Sequence, residues 1–248
     1  MTSMNHGLFD AAIVDLDGTM VDTLGDFAVA LNLMLADVAL PAIARAAVEP
    51  LVGKGSEHLI RSVLNQVLKV APALEERAQA AINLEVDRLF SDAWASYQRH
   101  YLEINGRHAS VYPGVIEGLQ RLQGWGLKLA CLTNKPTAFA VPLLKAKGLG
   151  VFFCQVFGGD SFERKKPDPL PLLKTCEALG SLPSRTLMIG DSSNDAQAAR
   201  AAGCPVLLVT YGYNHGEPVH GVDADGFIDT LADVDLESLK TNTGRAPH

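Results

Sequence analysis

The sequence predicts an α/β protein: a doubly wound parallel sheet forming the core, interrupted by an inserted α-helical cap. Short apolar runs bounded by turn residues recur at 11–16, 127–132, 152–157, 186–189 and 205–209, each of a length suited to a buried strand. Helical patterns separate the later runs, and such alternation implies parallel strands, right-handed crossovers and helices on both faces. From about Thr23 to about Gly106 the alternation stops, and several helical patterns follow one another without a convincing strand.

In chain order, the first run ends in Asp15-Leu16-Asp17-Gly18-Thr19, and the insertion begins shortly after it. Inside the insertion Leu59, Ile60, Val63, Leu64, Val67 and Leu68 repeat as pairs four residues apart, which makes one apolar stripe on a helix. A longer amphipathic pattern runs from about Ala73 to Leu102, with Leu84, Leu89, Trp94 and Tyr101 among its larger side chains. The chain returns before Pro113, so the insertion is expected to hang over the Asp15 loop as a lid. Val115, Leu119, Leu122 and Trp125 then mark the first helix of the alternating part, followed by helical patterns at 139–144, 170–179 and 196–202. The tail after about Thr241 is expected to fray.

Composition narrows the function. The 248 residues, 48% hydrophobic, suffice for a full core, and a formal net charge of -7 excludes a polyanion-binding surface, so nucleic acid is not an expected partner. No apolar run approaches membrane length and the first residues lack the pattern of a secretion signal, so no membrane partner and a cytoplasmic location are expected. Cys131, Cys154, Cys176 and Cys204 form no CxxC pair, and a structural role is expected for all four. Nothing in the pattern specifies an oligomeric state.

Chemistry concentrates at the ends of the predicted strands. Asp15 and Asp17 stand two residues apart after a buried run, and buried acids need a compensating charge; carboxylate and carbonyl oxygens suit magnesium. Thr133-Asn134 ends the second run, where a hydroxyl and backbone N–H groups can hold phosphate oxygens. Lys166 precedes Pro167 in the third segment, and Asp191-Ser192-Ser193-Asn194-Asp195 ends the fourth run. Each has a plainer reading: an Asp-Gly turn, a helix cap, a solvated charge run, another cap. All four recur in order at strand C-terminal ends, where a doubly wound sheet gathers its ligands.

The quartet DLDGT, LTN, KKP and GDSSND resembles the four motifs of the haloacid dehalogenase superfamily. That resemblance implies a Rossmann-like core at 1–22 and 107–248 and a helical cap at 23–106. It implies that Asp15 is a nucleophile phosphorylated during turnover and Asp17 a general acid and base. Thr133 and Asn134 would bind the phosphoryl group, with Gly18 and Thr19 beside them, and Lys166 would balance its charge. Asp15, the backbone carbonyl of Asp17, and Asp191 would hold magnesium, with Asp195 a ligand or just behind one.

The stretches LVGKG at 51–55, YGYNHG at 211–216 and KPDPLPLLKTCEALG after the lysine resemble the phosphoglycolate phosphatase branch, so a small phosphorylated metabolite, 2-phosphoglycolate, is the expected substrate. Lys54, between two glycines, is the expected grip on its carboxylate. The alternatives are a phosphatase acting on a sugar phosphate and a sugar phosphomutase, for which Lys54 with Arg61 offers a thin second anion grip. A response-regulator-like phosphorylation switch fits poorly, because such modules lack an extended helical insertion.

Overall fold

The computed structural model describes residues 7–70, 79–237 and 239. In chain order the elements are β1 (Ala11–Val14), β2 (Val21–Asp22), α1 (Leu24–Asp37), α2 (Arg45–Val48), α3 (Ser56–Val70), α4 (Gln79–Ile104), β3 (Ser110–Val111) and α5 (Val115–Gly124). They continue as β4 (Lys128–Leu132), α6 (Thr137–Ala146), β5 (Gln155–Phe157), α7 (Leu170–Leu179), β6 (Thr186–Gly190), α8 (Ser193–Ala202), β7 (Val206–Val209) and β8 (Gly226–Ile228).

The tetrapeptide of β1 has no polar side chain and is buried throughout, as a central strand with neighbours on both edges requires. It pairs in parallel with β4 on one side and β6 on the other, within a six-stranded sheet ordered β5-β4-β1-β6-β7-β8. Side chains alternate across it. Ala12 and Val14 pack with Val115, Leu119 and Leu122 of α5, while Ala11 and Ile13 pack with Leu172, Cys176 and Leu179 of α7. Successive strands depart in opposite directions from β1, so the crevice at its C-terminal end is the switch point where the predicted fold places a ligand.

A third core lies in the helical segment. Leu31, Met34 and Leu35 of α1 meet Ile60, Val63 and Leu64 of α3 and Tyr97 and Tyr101 of α4, joined by Phe139 and Tyr213 from the sheet side. The predicted stripe on α3 is buried at all six positions. On α4 the buried stripe is Ile82, Val86, Leu89, Ala93, Tyr97, Tyr101 and Ile104; Leu84 falls off it and is 73% exposed.

Two other expectations are corrected, and three short strands add to those expected. Trp125 lies just past the end of α5 and is 44% exposed, so the apolar spacing of that helix stops at Leu122. The run at 152–157 starts in a single 3₁₀ turn and pairs only from Gln155. Strand β8, three residues long, and the two-residue β2 and β3 are too short for an alternation pattern to mark them. The Ala73 start of the long amphipathic pattern and the tail after Thr241 lie outside the described residues.

Strands β2 and β3 pair antiparallel, Val21 with Val111 and Asp22 with Ser110, so the outgoing and returning connections of the helical segment run side by side. Asp26, fully buried in the first turn of α1, ties them further: its carboxylate accepts from the Gly106 N–H at 2.6 Å and the His108 N–H at 2.7 Å. Asp26→Ala strips the Gly106 and His108 N–H groups of a buried carboxylate acceptor. It should lower unfolding free energy by about 2 to 3 kcal/mol in urea titrations; a loss below about 0.5 kcal/mol would show that the bonds are dispensable.

Candidate active site

The sheet delivers the predicted residues to one place. Asp15 follows β1 directly and stays in sheet register, its N–H donating to the Ile189 carbonyl at 2.9 Å. Thr133 follows β4 in the same way, through Phe157 O at 3.0 Å. Asp191 follows β6, and Asp195 rises from the first turn of α8. Side-chain oxygens of Asp15, Asp191 and Asp195 all lie within 4.8 Å of one another, and all three residues are buried. Gly18, at φ +82°, is what lets the β1 loop come so close: a Cβ there would stand 2.2 Å from Asp191 Oδ2.

Lys166 is the cation inside this cluster. Its ammonium is 3.0 Å from Asp15 Oδ1 and donates to Asp195 Oδ1 at 2.7 Å and to the Leu132 carbonyl at 2.9 Å. Burial opposes its charge, but Asp15 and Asp195 outweigh that and hold the ammonium above its ordinary range. One lysine does not neutralise three acids. Burial pushes Asp15 up to about 7 against the pull of Lys166, with Asp195 adding to the rise. Burial, then the Asp195 and Asp15 charges, lift Asp191 well above the ordinary carboxylate range.

The donor set fits a hard divalent cation. Buried Asp15 Oδ1 has the Lys166 ammonium 3.0 Å away as an ion pair but no further hydrogen-bond donor, and the negative charge left over lies where such an ion would offset it. Asp195 is more committed: Oδ1 takes Lys166, while Oδ2 accepts from the N–H groups of Asp191 and Ser192 and from Ser192 Oγ at 2.8 Å.

A small cavity opens over the cluster, lined by Asp15, Asp17, Thr133 and Lys135 from the sheet and by Phe27, Gly53, Ser56 and Leu59 from the helical segment. Asn134 and Asn194 hold the two halves together, both donating to the Gly53 carbonyl, at 3.0 and 3.2 Å.

Residues 9–203 match the model of the haloacid dehalogenase-like hydrolases. The chain belongs to this family. It is 43% identical over 230 residues to the phosphoglycolate phosphatase of Thiobacillus denitrificans, covering 93% of this chain and 96% of that one. The plasmid phosphoglycolate phosphatase of Cupriavidus necator is 42% identical over 237 residues, or 96% of this chain and 95% of that one. The crystal structure of a predicted phosphoglycolate phosphatase from Haemophilus somnus superimposes with a TM-score of 0.83 at 33% identity, over 92% of this chain and 97% of that one.

In this hydrolase, Asp15, Asp17, Thr133, Lys166, Asp191 and Asp195 converge as the motifs imply. Thr19 is fully buried and its hydroxyl donates to Asp191 Oδ1 at 3.3 Å, so it orients an acid. The Asn134 amide is spent on Gly53 and on the Lys166 carbonyl, at 3.0 and 2.8 Å. Lys54 does not line the cavity of Asp15 and Asp17; it lines an adjoining one with His58, Arg61, Lys165 and Lys166. Arg61 is paired with Glu57 and Asp87 and stacked on Phe90, which leaves little for a second anion grip. No helix among the described residues is long and apolar enough to cross a membrane.

Two residues of the site were given no role from sequence. Lys135, buried beside Asp17, had its signal in LTNKP, directly after the phosphate-binding pair. Tyr213 gives its N–H to Asp191 Oδ2 at 2.7 Å; its hydroxyl donates to Asp22 Oδ1 at 2.7 Å and accepts from the N–H groups of Thr23 and Leu24.

Between about pH 4 and about 7 the folded, metal-free chain holds a proton on Asp15 that the unfolded chain has lost, so this group's contribution to stability falls as pH rises. In chelator, Asp15→Asn should gain on the wild type by about 1 to 3 kcal/mol between pH 5 and 7.5 in urea unfolding. Equal stability differences at both pH values would show that Asp15 titrates normally.

Proposed function

We propose that this protein is a magnesium-dependent phosphatase that hydrolyses 2-phosphoglycolate to glycolate and phosphate through an aspartyl-phosphate on Asp15. The observation that carries the reading is the buried Asp15, paired with Lys166 at 3.0 Å beside Asp191 and Asp195, at the edge of a small cavity. The substrate is supported by relatives of that name at 42 to 43% identity over nearly the whole chain.

Asp15 attacks phosphorus, the bond from phosphorus to the ester oxygen breaks, and Asp17 supplies the leaving oxygen with a proton. Water then attacks the aspartyl-phosphate while Asp17 accepts its proton, which releases phosphate and restores Asp15. Lys166 and the Thr133 hydroxyl hold the phosphoryl oxygens during both transfers. Magnesium, held by Asp15, Asp191 and the backbone carbonyl of Asp17, would supply the remaining positive charge that anion-on-anion attack requires. The saturated hydrogen bonding of Asp195 supports a role holding Lys166 and the β6 loop.

Residues 23–106 form the cap in this reading, with the paired β2 and β3 connections as its hinge, opening to admit substrate and closing to exclude water. The reaction needs only soluble small molecules, consistent with a cytoplasmic site of action.

Phosphate release should be fastest with 2-phosphoglycolate among small esters and sugar phosphates, vanish in chelator, and fall about a thousandfold or more in Asp15→Asn. A sugar phosphate as the preferred substrate would overturn the substrate assignment, and undiminished release by Asp15→Asn would overturn the nucleophile.

A further inference from the structure

Lys135 is 4% exposed and its ammonium faces three oxygens: Asp17 Oδ1 at 3.1 Å, Asp17 Oδ2 at 3.2 Å and the Tyr101 hydroxyl at 2.6 Å. The Phe27 and Tyr101 rings stand 4.5 and 4.6 Å from it, so carboxylate and ammonium form a closed pair walled by aromatic faces. Asp17 Oδ1 also accepts the Thr23 hydroxyl at 2.8 Å. Both oxygens of Asp17 are thus turned onto donors of the protein, although the proposed reaction needs one of them at the leaving oxygen of the substrate.

An exchange resolves the conflict. A carboxylate on the substrate matches that of Asp17 in charge and in the ability to accept two hydrogen bonds, so it can replace Asp17 on the ammonium without leaving a buried cation unpaired. A neutral leaving group cannot. Lys135 lines the same cavity as Asp15 and Asp17, whereas Lys54 lines the adjoining one, on the side of Lys166.

We propose that Lys135 is a substrate-operated latch: it keeps Asp17 engaged until the carboxylate of the bound ester takes the ammonium and frees Asp17 for the leaving oxygen. The latch rests on the reading of this site as a 2-phosphoglycolate phosphatase. It makes the substrate's own charge the switch for the acid that cleaves it, so discrimination against neutral esters appears in turnover as well as in binding.

Methyl phosphate and formate are the two halves of 2-phosphoglycolate, and together they test the latch in the intact, magnesium-loaded wild type. Added formate should raise kcat for methyl phosphate, saturably, by about fivefold or more, while equal chloride does not. Lys135→Met should show no formate activation. In that variant the ratio of kcat/KM for 2-phosphoglycolate over methyl phosphate should fall about a hundredfold. Formate without effect or purely inhibitory on a wild type that prefers 2-phosphoglycolate overturns the latch alone, as does an equal loss on both esters in Lys135→Met. A wild type indifferent between the two esters overturns the substrate reading and the latch together.

Discussion

Three buried carboxylates within 4.8 Å repel one another, and much of the surrounding chain answers to that repulsion. Burying one unpaired carboxylate costs several kcal/mol, so a cluster of three with one lysine is a standing deficit of positive charge. Gly18 lets the β1 loop approach where any side chain would collide with Asp191. The sheet supplies the rigid edge: Asp15 and Thr133 are each fixed by a backbone hydrogen bond that extends a strand by one residue. Catalytic acids on adjacent parallel strands hold their spacing better than acids on loops.

The same cluster is mechanically joined to the connections of the helical segment. Tyr213 touches Asp191 through its backbone and Asp22, Thr23 and Leu24 through its hydroxyl, so one residue spans the acid cluster and the start of α1. Asp26 closes the other side by binding the returning chain at Gly106 and His108. Any rotation of the helices about β2 and β3 must work against these bonds, which places the energetic cost of opening close to the acids themselves. The Gly53 carbonyl, held by Asn134 and Asn194, gives the closed arrangement its own contacts across the cavity.

The parts of this architecture legible in sequence are those encoded by local pattern. Asp15, Lys166 and Asp191 stand beside apolar strands or proline turns, so the backbone pattern that marks the element also locates the residue. The α3 stripe was legible because its six apolar positions repeat without exception. Leu84 was misplaced because α4 is apolar on more than one side, and only its partners reveal that the face through Val86 and Tyr97 is the buried one. Lys135 escaped for a related reason. It sits one residue past a recognisable motif, but what makes it significant is Tyr101 from α4 and Phe27 from α1, which no local pattern connects to it.

That separation also explains how charge is distributed over the cavity. Lys166 is enclosed by acids of the sheet, whereas Lys135 is enclosed by one acid of the sheet and two aromatic rings of the helical segment. A cation so placed has a single anionic partner and walls that tolerate an ammonium without neutralising it. Removing that partner without replacing it would leave a buried charge at a cost of several kcal/mol, which is why Asp17 cannot turn away unaided. A phosphate ester with a carboxylate brings the replacement with it. In the proposed reading, two lysines at one sheet edge would meet two anionic groups on one small molecule, the inner the phosphoryl group and the outer the carboxylate, with Phe27 and Tyr101 of the helical segment walling the outer one.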